Sequence, residues 1–203
     1  MYDKNRKARH ASGRPGFSRQ PRGMVRMEIQ YRDIAYSDLS TELFSAFTRT
    51  QVVTDCWRIV NGAWVIQSDP FIDDWDEMDR IFLVQCLKNT LQTGGLLHGA
   101  FAGNQLKGFV SVESTLFGSE KQYADLTSIH VSQEMRGLGI GRNLFEAAKR
   151  YARKAGAKKL YISAHSAVET QAFYRSMGCV AALEREKRHI EQEPFDCQLE
   201  YLL

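Results

Sequence analysis

The run Arg136-Gly137-Leu138-Gly139-Ile140-Gly141-Arg142 constrains this chain more than any other stretch. It follows an extended apolar-polar run, Leu126 to Val131, and opens an amphipathic helix. Glycines at alternate positions let the backbone turn with no Cβ in the way, so successive N–H groups converge on one concave space. That space lies at the positive end of a helix, where an anion is favoured. The stretch therefore reads as a pyrophosphate cradle; the plain alternative is an ordinary loop leading into a helix. No Gly-Lys-Ser/Thr follows, so it is not a P-loop. The G-x-G-x-G spacing, with no strand and acid about twenty residues on, is not the dinucleotide fingerprint.

The rest of the chain reads as alternating strands and helices. Met27 to Ile34 alternates like a first strand, and Ser37 or Asp38 caps a short helix through Leu39, Leu43, Phe44 and Phe47. Val52 to Trp75 carries no clear element and holds all three tryptophans. A helix starting at Asp73 or Asp74 runs through Met78, Ile81, Phe82, Val84, Leu87 and Leu91 to Gly94-Gly95. Its apolar residues cover most of its surface, which predicts a largely buried helix. Leu97–Ala102 and Leu106–Val112 form a hairpin about Gly103-Asn104, and Tyr123–Ser132 is the strand into the cradle. Ile140, Leu144, Ala148, Tyr151 and Ala155 recur at helical spacing before Gly156. A strand at 158–163, a helix at 168–177 and strands at 179–183 and 195–202 follow. There are no internal repeats, and the expectation is one α/β domain with a mixed, mostly antiparallel sheet flanked by helices.

The net charge of +3 is unevenly placed. Residues 1–23 hold seven Lys/Arg against Asp3, a balance of +6, so the remainder carries −3. That segment lacks apolar periodicity and is expected to be a disordered basic tail, with residues 24–203 forming the domain. The acidic body argues against nucleic acid as partner. No apolar run approaches the ~20 residues that span a bilayer, so no membrane is expected. The N-terminus has no apolar core of a secretory signal. Cys56, Cys86, Cys179 and Cys197 show no C-x-x-C pair and no metal-ligand spacing. They read as reduced thiols in a cytoplasmic protein that holds no metal.

Several motifs occur together in order. The strand Asp125-Leu-Thr-Ser-Ile-His-Val131 leads into R-x-x-G-x-G, Lys159-Leu-Tyr-Ile-Ser163 follows, and then comes Ala172-Phe-Tyr-Arg-Ser-Met-Gly178. From about Leu96 to Leu203 the chain resembles the GNAT superfamily of acyl-CoA-dependent N-acetyltransferases. The resemblance implies acetyl-CoA as cosubstrate and a primary amine as acceptor, on a small cationic molecule or a peptide. Arg136, Gly137, Leu138, Gly139, Ile140, Gly141 and Arg142 would hold the pyrophosphate, mainly by backbone N–H, with Arg136 adding charge. Ile129 and Val131 would bond the pantetheine arm as a neighbouring strand would, and an amide near Ile129 would face the thioester oxygen. The alternative is a fully paired strand.

Tyr174 matches the tyrosine that serves many such enzymes as general acid; its alternative is an aromatic packed beside Phe173. Asp125, six residues before Val131, stands where many relatives carry a strand glutamate that accepts the ammonium proton. A plain strand-end acid is the alternative there, and Glu113 is the other candidate base. His130 and His165 read as structural. One departure is Ala167, where the family often has an asparagine on the pantetheine, which leaves Ser166 or Thr170 to supply a hydroxyl. Trp57, Trp64, Phe71 and Trp75 interleave with Asp69, Asp73, Asp74, Asp76 and Glu77 where the family shapes its acceptor site. Core tryptophans beside an acidic helix start explain the same residues. Two further readings stay open: a homodimer, and a non-catalytic acyl-CoA-binding regulatory module that keeps the cradle without turnover.

Overall fold

The computed structural model describes residues 28–203, so the basic segment 1–23 lies outside the described residues. Strand β1 (Ile29–Asp33) leads into two short 3-10 turns, Tyr36–Asp38 and Thr41–Phe44. These stand where one capped helix was expected. Neither turn has a side-chain cap, yet the expected apolar residues Leu39, Phe44 and Phe47 are all buried. Next come β2 (Gln51–Val60) and β3 (Ala63–Asp73), a separate two-stranded antiparallel hairpin. Its turn is Asn61-Gly62 with φ of 52° and 79°, both left-handed, as a tight hairpin needs. The Asn-Gly between β-branched runs was the available signal for a segment that sequence reasoning left without an element.

Helix α1 (Glu77–Gln92) starts later than expected, because Asp76 and Asp79 form a reciprocal capping box. Its largely buried character does not hold. Val84, Leu87 and Thr90 are buried, but Met78, Ile81 and Phe82 face solvent, with Phe82 72% exposed. A helix lying on one side of a sheet can bury one stripe only, whatever its other faces carry.

Strands β4 (Leu96–Ala102) and β5 (Gln105–Val112) form the expected hairpin, and β6 (Tyr123–Val131) pairs antiparallel with β5. The loop then enters α2 (Ile140–Lys154), followed by β7 (Lys159–Ala164), α3 (Val168–Ser176), β8 (Val180–Ala181), α4 (Lys187–Gln192) and β9 (Cys197–Leu202). Only two residues of the expected 179–183 strand pair, and α4 had no periodic signal at all. The seven-stranded order is β1-β4-β5-β6-β7-β9-β8, antiparallel except for β6 beside β7. This is the mixed, mostly antiparallel sheet with flanking helices that the sequence implied.

One core joins Leu144, Phe145 and Ala148 of α2 to Val110, Leu126, Leu160 and Ile162 of the sheet. On the other face, Phe44, Phe47, Val84 and Leu87 close over Leu97, Phe101 and Phe109. Among the described residues no helix is long and apolar enough to cross a membrane. Leu144 is fully buried, so we expect Leu144→Ala to cost about 2–5 kcal/mol in urea unfolding. Phe82→Ala should change stability by less than about 0.5 kcal/mol. A comparable loss for both would show that the outer face of α1 is covered in solution.

Candidate active site

The site begins where two parallel strands part. β6 and β7 pair only through Tyr123, Ala124 and Asp125 against Lys159, Leu160 and Tyr161. β7 stays in register with β9 as far as Ala164, while β6 follows β5. The β5–β6 register shifts between Ser111 and Val112, which leaves Thr127 as an extra, bulged residue on β6. Its hydroxyl meets Ser111 Oγ at 2.8 Å. Beyond the bulge, Ser132 N–H donates to Lys107 O at 2.8 Å. Antiparallel bonds alternate, so His130 also faces β5, and the backbone groups of Ile129 and Val131 face the gap toward β7. The fully paired alternative for this stretch is not what the strand does. Arg136 Nε takes one of those groups, the Val131 carbonyl, at 3.2 Å.

A cleft of about 890 Å³ opens along this gap, lined by Ile129, Val131, the Gly137–Arg142 turn, His165, Phe173 and Tyr174. Gly137 and Gly139 have φ of +77° and +80°, a left-handed backbone that side chains resist. A Cβ at either would meet no atom within 4 Å, so this concave space is open. Gly139 caps the N-terminus of α2, leaving the first N–H groups of the helix directed at the cleft. Gly141 lines the cleft as well and has a further reason to be glycine. A Cβ on it would lie 3.1 Å from Phe173 Cε2, so it lets α2 approach α3. Arg136 and Arg142 line the cleft with Arg49 of the loop before β2, whose Nε is buried with no partner. Burial, then the neighbouring Arg49 charge, pulls Arg136 below the usual arginine range. An anion would relieve both. Among the described residues no group of three or more His, Cys, Asp or Glu side chains is placed to hold a metal ion.

Tyr174 lies in the same cleft, 6% exposed, its ring edge-on to Phe173 at 5.1 Å. Burial, then the nearby Cys179 and Asp196, pushes its phenol up and keeps it protonated. Gln171, which sequence reasoning passed over, is buried and donates to the carbonyls of Ala164 (3.3 Å) and His165 (2.8 Å). It fixes the end of β7 against α3. Ser166 and Thr170 separate clearly: the Ser166 hydroxyl accepts from Arg58, whereas Thr170 lines the cleft. Ala167 N–H donates to His165 Nδ1 at 3.0 Å, which leaves the His165 proton on Nε2.

Asp125 does not face this cleft. It sits in a second cavity of about 590 Å³ together with Glu113, and only Thr127 lines both spaces. The Asp125 side chain is 2% exposed, and its Oδ2 accepts from Arg188 Nη2 at 2.9 Å and from His189 Nε2 at 2.8 Å. Its Oδ1 is buried with no partner. Both partners come from α4, more than sixty positions away in the chain, so no local pattern announced them. The three tryptophans scatter. Trp75 stacks on Phe47 at 5.8 Å, Trp57 lies under Arg175, and Trp64 stays 47% exposed near the hairpin tip. Of their acidic neighbours, Asp73 pairs with Arg49 and Asp69 with Arg58, while Asp76 caps α1.

Comparison with known proteins places this geometry in context. The family model described as "Acetyltransferase (GNAT) family" matches residues 55–179. Among solved structures, nourseothricin acetyltransferase is 19% identical, with a TM-score of 0.60 over 85% of this chain and 95% of that one. A protein from Bacillus anthracis described as a streptothricin acetyltransferase, solved with acetyl coenzyme A, is 16% identical. Its TM-score is 0.62 over 87% of this chain and 98% of that one. The PaiA N-acetyltransferase of Thermoplasma acidophilum, solved with coenzyme A, is 19% identical with a TM-score of 0.54, over 87% and 100%. At these identities the likeness is one of fold. Comparison with the curated proteins gives no match.

His130 supplies a test of how dry the cleft wall is. Burial, then the charges of Arg49 and Arg136, pulls it from 6.5 to about 3. The unfolded chain takes up that proton near 6.5 and the folded chain does not. The stabilisation is therefore complete above 6.5 and is lost as pH falls toward about 3. We expect its imidazole resonances to stay unchanged between about pH 8 and pH 5 in NMR titration. A midpoint near 6.5 would contradict this placement.

Proposed function

The chain belongs to the acetyltransferase (GNAT) family, whose acyl donor is acetyl-CoA, and from that premise we propose N-acetylation of a primary amine on a small cationic molecule or peptide. The observation that carries this reading is the gap between β6 and β7, with a glycine cradle at one end and a buried phenol beside it. The N–H groups at the start of α2, with Arg49 and Arg142, suit the pyrophosphate, and Ile129 and Val131 suit the pantetheine amides. Arg136 is committed to the Val131 carbonyl, so it would add charge more than a direct contact. An N–H near Ile129 would steady the oxyanion, a role worth about 2.7–4 kcal/mol in comparable sites.

Tyr174 is proposed as the proton donor to the departing thiolate. Burial raises the Tyr174 phenol, so it keeps its proton until a thiolate, a stronger base than a neutral thioester, is generated beside it. The acceptor is proposed to come from the opposite face, through the cavity that Thr127 shares with the cleft, where Asp125 and Glu113 suit an ammonium. Two of the similar structures are named for streptothricin and nourseothricin, which makes those compounds natural members of an acceptor panel. Four unpaired cysteines support a reducing, cytoplasmic setting.

The test is release of coenzyme A from acetyl-CoA across a panel of amines. We expect turnover with at least one cationic amine. Tyr174→Phe should lower kcat by roughly 10²–10⁴-fold while leaving acetyl-CoA affinity unchanged by calorimetry. Tight acetyl-CoA binding with no release on any amine would favour the regulatory module instead.

A further inference from the structure

The cavity behind β6 contains more than a lone carboxylate. His189 of α4 closes one side of it, 15% exposed, and stacks on Tyr161 at 5.7 Å. Its Nε2 lies 2.8 Å from Asp125 Oδ2. A carboxylate only accepts hydrogen bonds, so Nε2 must carry the proton. When the ring is neutral its lone pair lies on Nδ1, for which there is no hydrogen-bond partner among the described residues. An imidazole held in one tautomer by a buried acid, with its other nitrogen free, is the arrangement of a general base. Histidine is the side chain most often used as a base near neutrality, which suits this placement.

We propose that His189 is the base that deprotonates the acceptor ammonium, and that Asp125 is the residue that positions it. This rests on the acetyl-transfer reading above and deepens it. Thr127 borders both spaces, so an amine in this cavity would meet the thioester at the Thr127 bulge. Asp125 Oδ1, buried and unpartnered, offers the same ammonium a second acceptor. The ammonium gives one proton to Nδ1, and the resulting imidazolium is held by the Asp125 carboxylate. The freed lone pair forms the C–N bond to the thioester carbon, the C–S bond breaks, and the thiolate takes the Tyr174 proton. The second N–H proton, released as the amide forms, restores the phenol. The imidazolium then returns its proton to solvent.

The charged groups around the ring are compatible with this role. Arg188 on the same helix opposes a second positive charge, at 3.4 Å from Nε2. Asp125 of β6, Glu113 of β5, Glu186 at the start of α4 and Asp196 before β9 favour one, and Tyr161 of β7 covers the ring face.

The experiment is the pH dependence of acceptor kcat/KM in the full chain, from about pH 5.5 to pH 9, with coenzyme A release as readout. Wild type should rise through one ionisation on the acidic side. His189→Gln keeps an amide N–H at the place of Nε2 but cannot take a proton. It should lose roughly 10²–10⁴-fold in turnover together with that ionisation, at unchanged acetyl-CoA affinity. Full turnover with an unaltered acidic limb would overturn the base while leaving acetyl transfer intact. No release by wild type on any amine would overturn both. Should His189→Gln bind no acetyl-CoA, ¹⁵N NMR of the wild-type ring decides: a proton on Nε2 and none on Nδ1 supports the pair, and the reverse tautomer overturns it.

Discussion

Everything functional in this fold depends on β6 and β7 being parallel neighbours that stop pairing after three residues. Each strand is held by a different partner. β7 is bound along its full length to β9, and β6 is bound to β5 on both sides of the Thr127 bulge. The sheet's twist then carries the two apart, since neither can follow the other without giving up an antiparallel ladder. The exposed backbone edge of Ile129 and Val131 is thus a by-product of better hydrogen bonds elsewhere. Such an edge is costly to leave unpaired, and a strand-like ligand is the natural way to satisfy it.

That single gap also divides the chemistry. On one side lies a cleft lined with arginines, backbone N–H groups and a protonated phenol, suited to an anionic thioester donor and its leaving group. On the other lies a cavity lined with the carboxylates of Asp125, Glu113 and Glu186, the His189 imidazole and the Arg188 guanidinium, which is proposed to receive the acceptor. Thr127 belongs to both. A bulge is a common device for re-aiming a strand at an active site, and here it sits between the two compartments.

The cradle, the strand before it and the Phe173-Tyr174 pair were legible because each depends on residues close together in the chain. Positive φ at Gly137 and Gly139 follows from local sterics, and the 3.6-residue spacing in α2 follows from the core it faces. Gly141 was legible as a cradle glycine, but its packing against α3 was not, because its neighbour Phe173 arrives from that helix. Asp125 was legible as an acid on the strand that leads to the cradle. Its surroundings were not found, since Arg188 and His189 reach it from a short polar helix with no periodic signal. The exposure of Phe82 was misjudged because apolar content does not say which face a sheet will cover. The β2–β3 hairpin was missed although Asn61-Gly62 announced it.

The central claim is that the Ile129–Val131 edge is open in the free protein and is closed by acetyl-CoA. Amide hydrogen exchange at these two residues, measured with and without acetyl-CoA, tests it most directly. The account predicts fast exchange at Ile129 and Val131 beside a protected His130 in the free protein, and strong protection of both on binding. Equal protection of all three residues before ligand is added, or no change at Ile129 and Val131 at saturating acetyl-CoA, would contradict it.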